Sequence, residues 1–426
     1  MLVSAHAAND SGVDFDVLVV GAGPSGAAAA HWLAARGHSV LAIEKKHFPR
    51  EKTCGDGLTP RAVRQLHDMG LADRLAGFQR FDGLRSIAHG VTLELAWPDH
   101  PDFPSYGYVV RRRELDEMVA EQAVKAGATI WQGAEAVAPV VDGGLLTGAM
   151  VRDKDSDEVK PVRARYVIVA DGANSRFGRA LGTARDRSFP LGMAIRGYFT
   201  SPLHDEPWIE SHLDIRDRDG NHLPGYGWIF PVGDGTVNVG VGLLSTFQGW
   251  KHVNTSHLME AFCETAPARW GLSPATATGA PTGGRLPTGG SVTPRVGPTF
   301  VVAGDAAGFV NPFNGEGIST AMESGEIAAQ VIIQALARPD QASTELALRG
   351  YPQALKDAYG GYYTLGRKFV GAIGHPWFMK FATRHGLPRP ALMRFTMKLL
   401  ANLTEPRGGD AADRLINALS RITPAA

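Results

Sequence analysis

Gly21-Ala22-Gly23-Pro24-Ser25-Gly26, followed by the acid Glu44 at the end of a second apolar run, has the residue types and spacing that hold a dinucleotide. The glycines let the chain turn tightly and let backbone N–H groups approach a pyrophosphate, and the carboxylate accepts both ribose hydroxyls. A second constellation lies far downstream. Tyr226, Trp228 and Phe230 alternate along one run, so as a strand they point to one face and wall a slot for an apolar chain. Cys54, in the loop after Glu44, has the chemistry of a proton donor or of a packing thiol. These groups need elements to position them. Asp16–Val20 reads as a buried strand, Ser25–Arg36 as an alanine-rich helix stopped by Gly37, and Ser39–Ile43 as the next strand, which together form a βαβ unit.

Thr299–Ala303 reads as another buried strand, and it runs into Gly304-Asp305 and then Asn311-Pro312-Phe-Asn314-Gly315-Glu-Gly317-Ile318. This stretch resembles the second FAD fingerprint of the p-hydroxybenzoate hydroxylase-like flavoproteins. That resemblance implies that Asp305 binds the ribityl chain and that Gly315, Gly317 and Ile318 open a helix facing the pyrimidine end of the flavin. Asp171-Gly172, after the strand Val167–Ala170, is similar to the Asp-Gly motif of those proteins, and Arg112-Arg-Glu-Leu115-Asp116 to their Arg-x-x-Leu-Asp helix start. Arg112 is accordingly the candidate for a contact with the cofactor. Lys45 and the segment Cys54-Gly55-Asp56-Gly57 complete the candidate cofactor set, and no residue is assigned to a metal.

The chain has 426 residues, of which 44% are hydrophobic, enough for a sizeable core. Lys+Arg 43 balance Asp+Glu 43, which removes the electrostatic basis for nucleic-acid binding. No apolar run approaches the roughly 18 residues that span a bilayer, and residues 1–12 lack the apolar stretch of a signal peptide, so a cytoplasmic location is expected. Cys54 and Cys263 form no disulfide framework. The order of motifs gives an α/β fold with a Rossmann-type FAD-binding domain from 14–75, 104–182 and 285–340. An antiparallel β-sheet substrate domain is expected from 76–103 and 183–284, and a helical region from 341–426. Leu191–Phe199, Ile209–Ile215, Tyr226–Pro231 and Thr236–Leu243 read as its strands, and Pro281–Gly290 as a loop. Between Ala358 and Leu403 there is no Asp or Glu, while Arg367, Lys368, Lys380, Arg384, Arg389, Arg394 and Lys398 alternate with Tyr359, Tyr362, Tyr363, Phe369, Trp377, Phe378, Phe381 and Phe395. This composition suits a peripheral surface on anionic lipid at the inner face of the cell membrane.

Tyr226-Gly-Trp228-Ile-Phe230-Pro231 with Gly240-Val-Gly242 downstream resembles the signature of the geranylgeranyl reductase family, and Phe48–Pro60 resembles its Cys-Gly segment beside the flavin. The likeness runs from about Asp16 into the C-terminal helices, and the details are most similar to bacterial menaquinone reductases, which partly saturate a polyprenyl tail. It implies an FAD-dependent reductase that adds hydride from reduced flavin N5, plus a proton, to an isoprenoid C=C bond, one unit of the menaquinone tail. Cys54, Tyr226, Trp228 and Phe230 are the candidate catalytic residues. The acid stays open between Tyr226, Cys54 and a bound water, and the electron donor between a ferredoxin, a reduced flavin and NAD(P)H. Geranylgeranyl diphosphate or a geranylgeranyl lipid is the alternative substrate. An FAD monooxygenase or halogenase is the alternative of another class, although halogenases use an N-terminal lysine and no Lys occurs between Cys54 and Val124. A polyprenyl carrier with a remnant flavin is a third reading, against which the intact fingerprints argue.

Overall fold

The structure is a computed structural model that describes residues 13–246 and 250–423. The tail 1–12, for which no signal peptide is expected, lies outside them. Phe15–Val20, the expected first strand, is the centre of a parallel sheet: its register runs Val17↔Val40 to Val20↔Ile43 on one side and Phe15↔Ala164 to Val20↔Val169 on the other. Thr129–Gln132 extends the sheet beyond Val40–Glu44, and Phe300–Val302 pairs with the second half of Val159–Val169. Strands covered on both faces read as continuous apolar runs, and Val17, Leu18, Val19, Leu41 and Ala42 have no exposed surface. The first half of Val159–Val169 instead continues an antiparallel hairpin, Ala134–Asp142 and Leu145–Asp153, so one long strand joins the parallel and antiparallel parts of a single sheet.

Helix Pro24–Ala34 packs on helix Ile318–Leu336 at very short range. A Cβ at Gly325 would lie 2.2 Å from the Ser25 carbonyl oxygen, so only glycine allows the approach. A second, seven-stranded sheet has the order Thr282–Pro287, Leu191–Thr200, Thr236–Leu244, Gly225–Pro231, Trp208–His212, Gly83–Ala88, Val91–Ala96. Two expectations are corrected here. Trp208–His212 pairs parallel to Gly83–Ala88, so the sheet is not wholly antiparallel. Pro281–Gly290 is not simply a loop either: Thr282–Pro287 is an edge strand paired with Leu191–Arg196, and the turn begins only after it.

The C-terminal region is helical, from Gln341–Leu348 through Tyr351–Ile373, Pro376–Gly386, Pro390–Leu400 and Ala411–Ile422. Tyr359, Tyr362 and Tyr363 are buried, contrary to their reading as part of a lipid-facing surface. Their hydroxyls donate inward, Tyr359 to Glu323 at 2.6 Å, Tyr362 to the Leu399 carbonyl at 2.9 Å and Tyr363 to the Phe309 carbonyl at 2.7 Å. Tyr351 does the same to the Val302 carbonyl at 2.9 Å. The long helix thereby grips the segment that follows strand Phe300–Val302. Among the described residues no helix is long and apolar enough to cross a membrane.

Candidate functional site

The parallel strands deliver their carboxyl ends to one edge, where open α/β sheets bind their ligands. Val20 leads into Gly21, Val40–Glu44 ends at its acid, Val159–Val169 leads to Asp171, and Phe300–Val302 leads to Gly304-Asp305. Gly21 has φ +100°, and a Cβ there would sit 2.4 Å from the Ala170 carbonyl oxygen; at Gly26 it would sit 1.8 Å from the Gly21 carbonyl oxygen. Those two glycines are dictated by the fold. Gly23 is different, since a Cβ would meet only Arg50 Nη2 at 3.5 Å, so nothing in the protein occupies the space it leaves. Helix Pro24–Ala34 starts there with Pro24 in its first turn and no side-chain cap. Ser25 Oγ and Asp171 Oδ1 are buried without a hydrogen-bond partner. An open glycine cradle, an uncapped helix N-terminus and orphaned polar atoms are what a diphosphate and its sugars would satisfy, so these residues fit FAD.

Glu44 is held in place. Its carboxylate accepts from Ala22 N at 3.4 Å, Lys46 N at 3.1 Å and Arg50 Nη2 at 3.1 Å. Arg50 Nη1 continues to Asp116 Oδ2 at 2.9 Å, and Asp116 also takes two bonds from Arg112 at 2.7 and 2.9 Å. Acids and arginines therefore alternate in a buried row from Glu44 to Arg112. The Arg112 guanidinium, expected to meet the cofactor, is bound to Asp116 and lies close enough to Cys54 for its charge to pull the thiol toward the thiolate. Lys45 is exposed beside Glu44, close enough to Asp171 to oppose the rise that burial gives that acid's pKa. Gly304 N donates to Ser324 Oγ at 3.0 Å, and Asp305 Oδ1 lies where a Cβ at Gly317 would come within 3.5 Å. Gly315, at φ +74°, closes the Asn311–Gly315 turn through its N–H to the Asn311 carbonyl at 3.0 Å, with Pro312 inside it. Glu316 caps Ser319 N at 2.7 Å, starting the helix that begins at Ile318.

Tyr226, Trp228 and Phe230 form a row of rings with centroids 5.8 and 6.3 Å apart. Their strand register explains the downstream glycines. Tyr226 pairs with Gly242 and Trp228 with Gly240, and a Cβ at Gly240 would fall 2.3 Å from Trp228 Cζ2. On the other side of the rings lies the Cys54 loop, with Gly55 and Gly57 close to Phe230 and Trp228. Trp228 is only 4% exposed, and Tyr226 and Phe230 are half-buried. The Tyr226 hydroxyl donates to the Asn314 carbonyl at 2.8 Å, which joins the ring row to the Asn311–Gly317 segment, and burial pushes its pKa up to about 12. Burial also raises the Cys54 thiol, outweighing the pull of Arg112 toward the thiolate. Both groups are therefore protonated at neutral pH.

The centre of this region is a residue that the sequence places only among the cofactor contacts. Asp56 is completely buried at φ +65°, and its carboxyl accepts from Tyr198 Oη at 2.5 Å, Asn238 Nδ2 at 2.7 Å and Arg112 N at 3.2 Å. Burial, opposed by those donors, lifts its pKa to about 6. Asn238 also donates to the Cys54 carbonyl at 2.9 Å and accepts from Trp228 Nε1 at 2.9 Å. The Tyr198 ring lies between the guanidiniums of Arg111 and Arg196, at 4.3 and 4.4 Å. Sequence reading missed Tyr198, Asn238 and Arg50. The available signal was Asn238 inside the otherwise apolar run 237–244.

An FAD binding domain family matches residues 14–204. The chain is 39% identical to the menaquinone reductase of Mycobacterium tuberculosis (strain ATCC 25618 / H37Rv) over 94% of its own length and 97% of the relative's. It is 33% identical to digeranylgeranylglycerophospholipid reductase 2 of Methanosphaera stadtmanae, covering 82% of this chain and 85% of that one. A geranylgeranyl bacteriochlorophyll reductase-like crystal structure from Thermoplasma acidophilum superposes with a TM-score of 0.75 at 23% identity, over 95% of this chain and 99% of that one.

Proposed function

The chain belongs to the geranylgeranyl reductase family of FAD-dependent oxidoreductases, and from that membership we propose that it saturates one isoprene unit in the polyprenyl tail of menaquinone. The observation that carries the choice of substrate is the likeness to menaquinone reductase over nearly the whole chain. The row of Tyr226, Trp228 and Phe230 supports it, because an isolated alkene offers only dispersion contacts to recognise. In this reading 14–75, 104–182 and 285–340 hold FAD, 76–103 and 183–284 hold the prenyl chain, and the helices of 341–426 close the assembly. The Gly21–Gly26 turn and Ser25 would bind the diphosphate, Glu44 the ribose, and Asp171, Asp305 and the Gly315–Ile318 segment the remainder.

Bound FAD, once reduced, supplies the hydride for one alkene carbon. This chain's residues exclude water from the slot and provide the proton for the other carbon, which completes a saturated C–C bond. We assign the proton to Cys54. Its thiol is protonated at neutral pH, and the positive charge of the nearby Arg112 guanidinium favours the thiolate that remains until solvent returns the proton. The Tyr226 O–H is committed to the Asn314 carbonyl. Electrons come from an external donor, and the protein works peripherally at the inner face of the membrane where its substrate resides.

The test reduces the purified protein with dithionite in air-free buffer and offers menaquinone and geranylgeranyl diphosphate separately in detergent. Two hydrogens gained by the menaquinone tail, after air reoxidation of the ring, support the proposal. Saturation of the diphosphate alone assigns the enzyme to a prenyl precursor instead. No saturation of either, with oxygen and NADPH consumed together, overturns the reductase chemistry.

A further inference from the structure

Helix Pro376–Gly386 carries Trp377, 70% exposed, and Phe381, 57% exposed. Four residues apart, the two rings share one face. Lys380 and Arg384 are exposed on the same side, while Phe378, Met379 and Ala382 are half-buried and Thr383 is buried. Thr383 Oγ1 meets His89 Nε2 at 3.0 Å, which pins the inner face to the turn between Gly83–Ala88 and Val91–Ala96. The ridge therefore points away from the substrate-side sheet. It continues onto the next helix, where Leu392, 46% exposed, lies 3.7 Å from the position of a Cβ on Gly386.

Charge singles out the occupant. Of the cations between Ala358 and Leu403, Lys398 is neutralised by Asp410 and Asp413, and Arg367 is bound to the Gly289 carbonyl. Lys368, Lys380, Arg384, Arg389 and Arg394 remain exposed, with no carboxylate partner among the described residues. A Trp and a Phe beside uncompensated cations match a headgroup layer, where an indole sits at the apolar boundary and cations meet anionic phosphates. We propose that this ridge is an interfacial anchor that seats on an anionic lipid surface and brings the neighbouring sheet to a membrane-dissolved substrate. Only that purpose rests on the isoprenoid-lipid reading; the binding surface itself does not.

Sedimentation with phosphatidylglycerol vesicles, compared with phosphatidylcholine vesicles and without substrate, reads the anchor directly. The wild-type protein should favour the anionic vesicles. The double variant Trp377→Ser, Phe381→Ser should partition at least about tenfold less, and Lys380→Gln, Arg384→Gln should reduce the preference for anionic lipid at least about tenfold. Flavin content and turnover of detergent-dispersed substrate should stay at the wild-type level in both variants, which separates loss of the anchor from misfolding and from failure of the substrate assignment. Wild-type indifference to anionic vesicles, or a double variant that sediments like wild type, overturns the proposal. So does light scattering that shows a wild-type dimer dissociated by the same double variant, because the ridge would then be a contact between two copies.

Discussion

Asp56 has no exposed surface, and three donors converge on its two carboxyl oxygens. Burial still dominates and sets its pKa at about 6, above the ordinary 3.8. The folded protein therefore binds this proton more tightly than the unfolded chain does. The resulting stabilisation is fully present below about pH 3.8 and is lost as the pH rises through about 6. Asp56→Asn should flatten that part of the stability curve, removing a slope worth up to about 3 kcal/mol between the two limits, as read from urea midpoints across the range. The proposed proton donor gives a contrasting pair of variants. Cys54→Ala should keep its flavin and lose at least about a hundredfold in turnover, the lower end of what a positioned acid contributes. Tyr226→Phe should retain most turnover and lose about 1 kcal/mol of stability, because its hydroxyl serves a backbone carbonyl. At this scale the sequence named candidate residues and not the partners that hold them. Arg112 illustrates the gap: its motif was readable, but its commitment to Asp116, four residues along the same helix, follows from burial.

Elements were legible where the information is local. The glycine spacing after Phe15–Val20 and the alternation of rings in Gly225–Pro231 reflect periods that the backbone itself imposes. Thr282–Pro287 was missed because Gly283, Gly284 and two prolines read as a turn, yet pairing with Leu191–Arg196 overrides that preference. The parallel partnership of Trp208–His212 with Gly83–Ala88 joins segments so far apart in the chain that no local pattern reports it. The tyrosines of Tyr351–Ile373 did leave a signal. Leu355, Tyr359, Tyr362, Gly366 and Val370 recur at helical spacing, which marks a core-facing stripe that the run of cations obscured. The glycines opposite the ring row give the sharpest test at this level. Gly240→Ala must push Trp228 off its seat and should cost about 1–3 kcal/mol with a steep loss of turnover. Gly55→Ala, whose nearest contacts are 3.3 and 3.4 Å away, should be milder in a thermal melt.

Across the whole molecule, hydrogen bonds that cross between layers matter as much as the layers do. Tyr198 to Asp56, Tyr226 to Asn314 and Thr53 to Thr282 tie the second sheet to the loops around the proposed cofactor site. The order of the motifs along the chain can be read from the sequence, whereas these ties join residues that are distant in sequence and independent in pattern. The grip of helix Tyr351–Ile373 carries a consequence for cooperativity. Removing everything after residue 350 would not trim a lid. It would leave the carbonyls of Val302 and Phe309 and the carboxylate of Glu323 without their tyrosine donors and would strip apolar cover from the core around the parallel sheet. A protein shortened there is expected to emerge colourless and aggregated. In the intact chain, flavin release and loss of far-ultraviolet helix signal should occur in one thermal transition, so the yellow colour itself reports whether the C-terminal helices are folded.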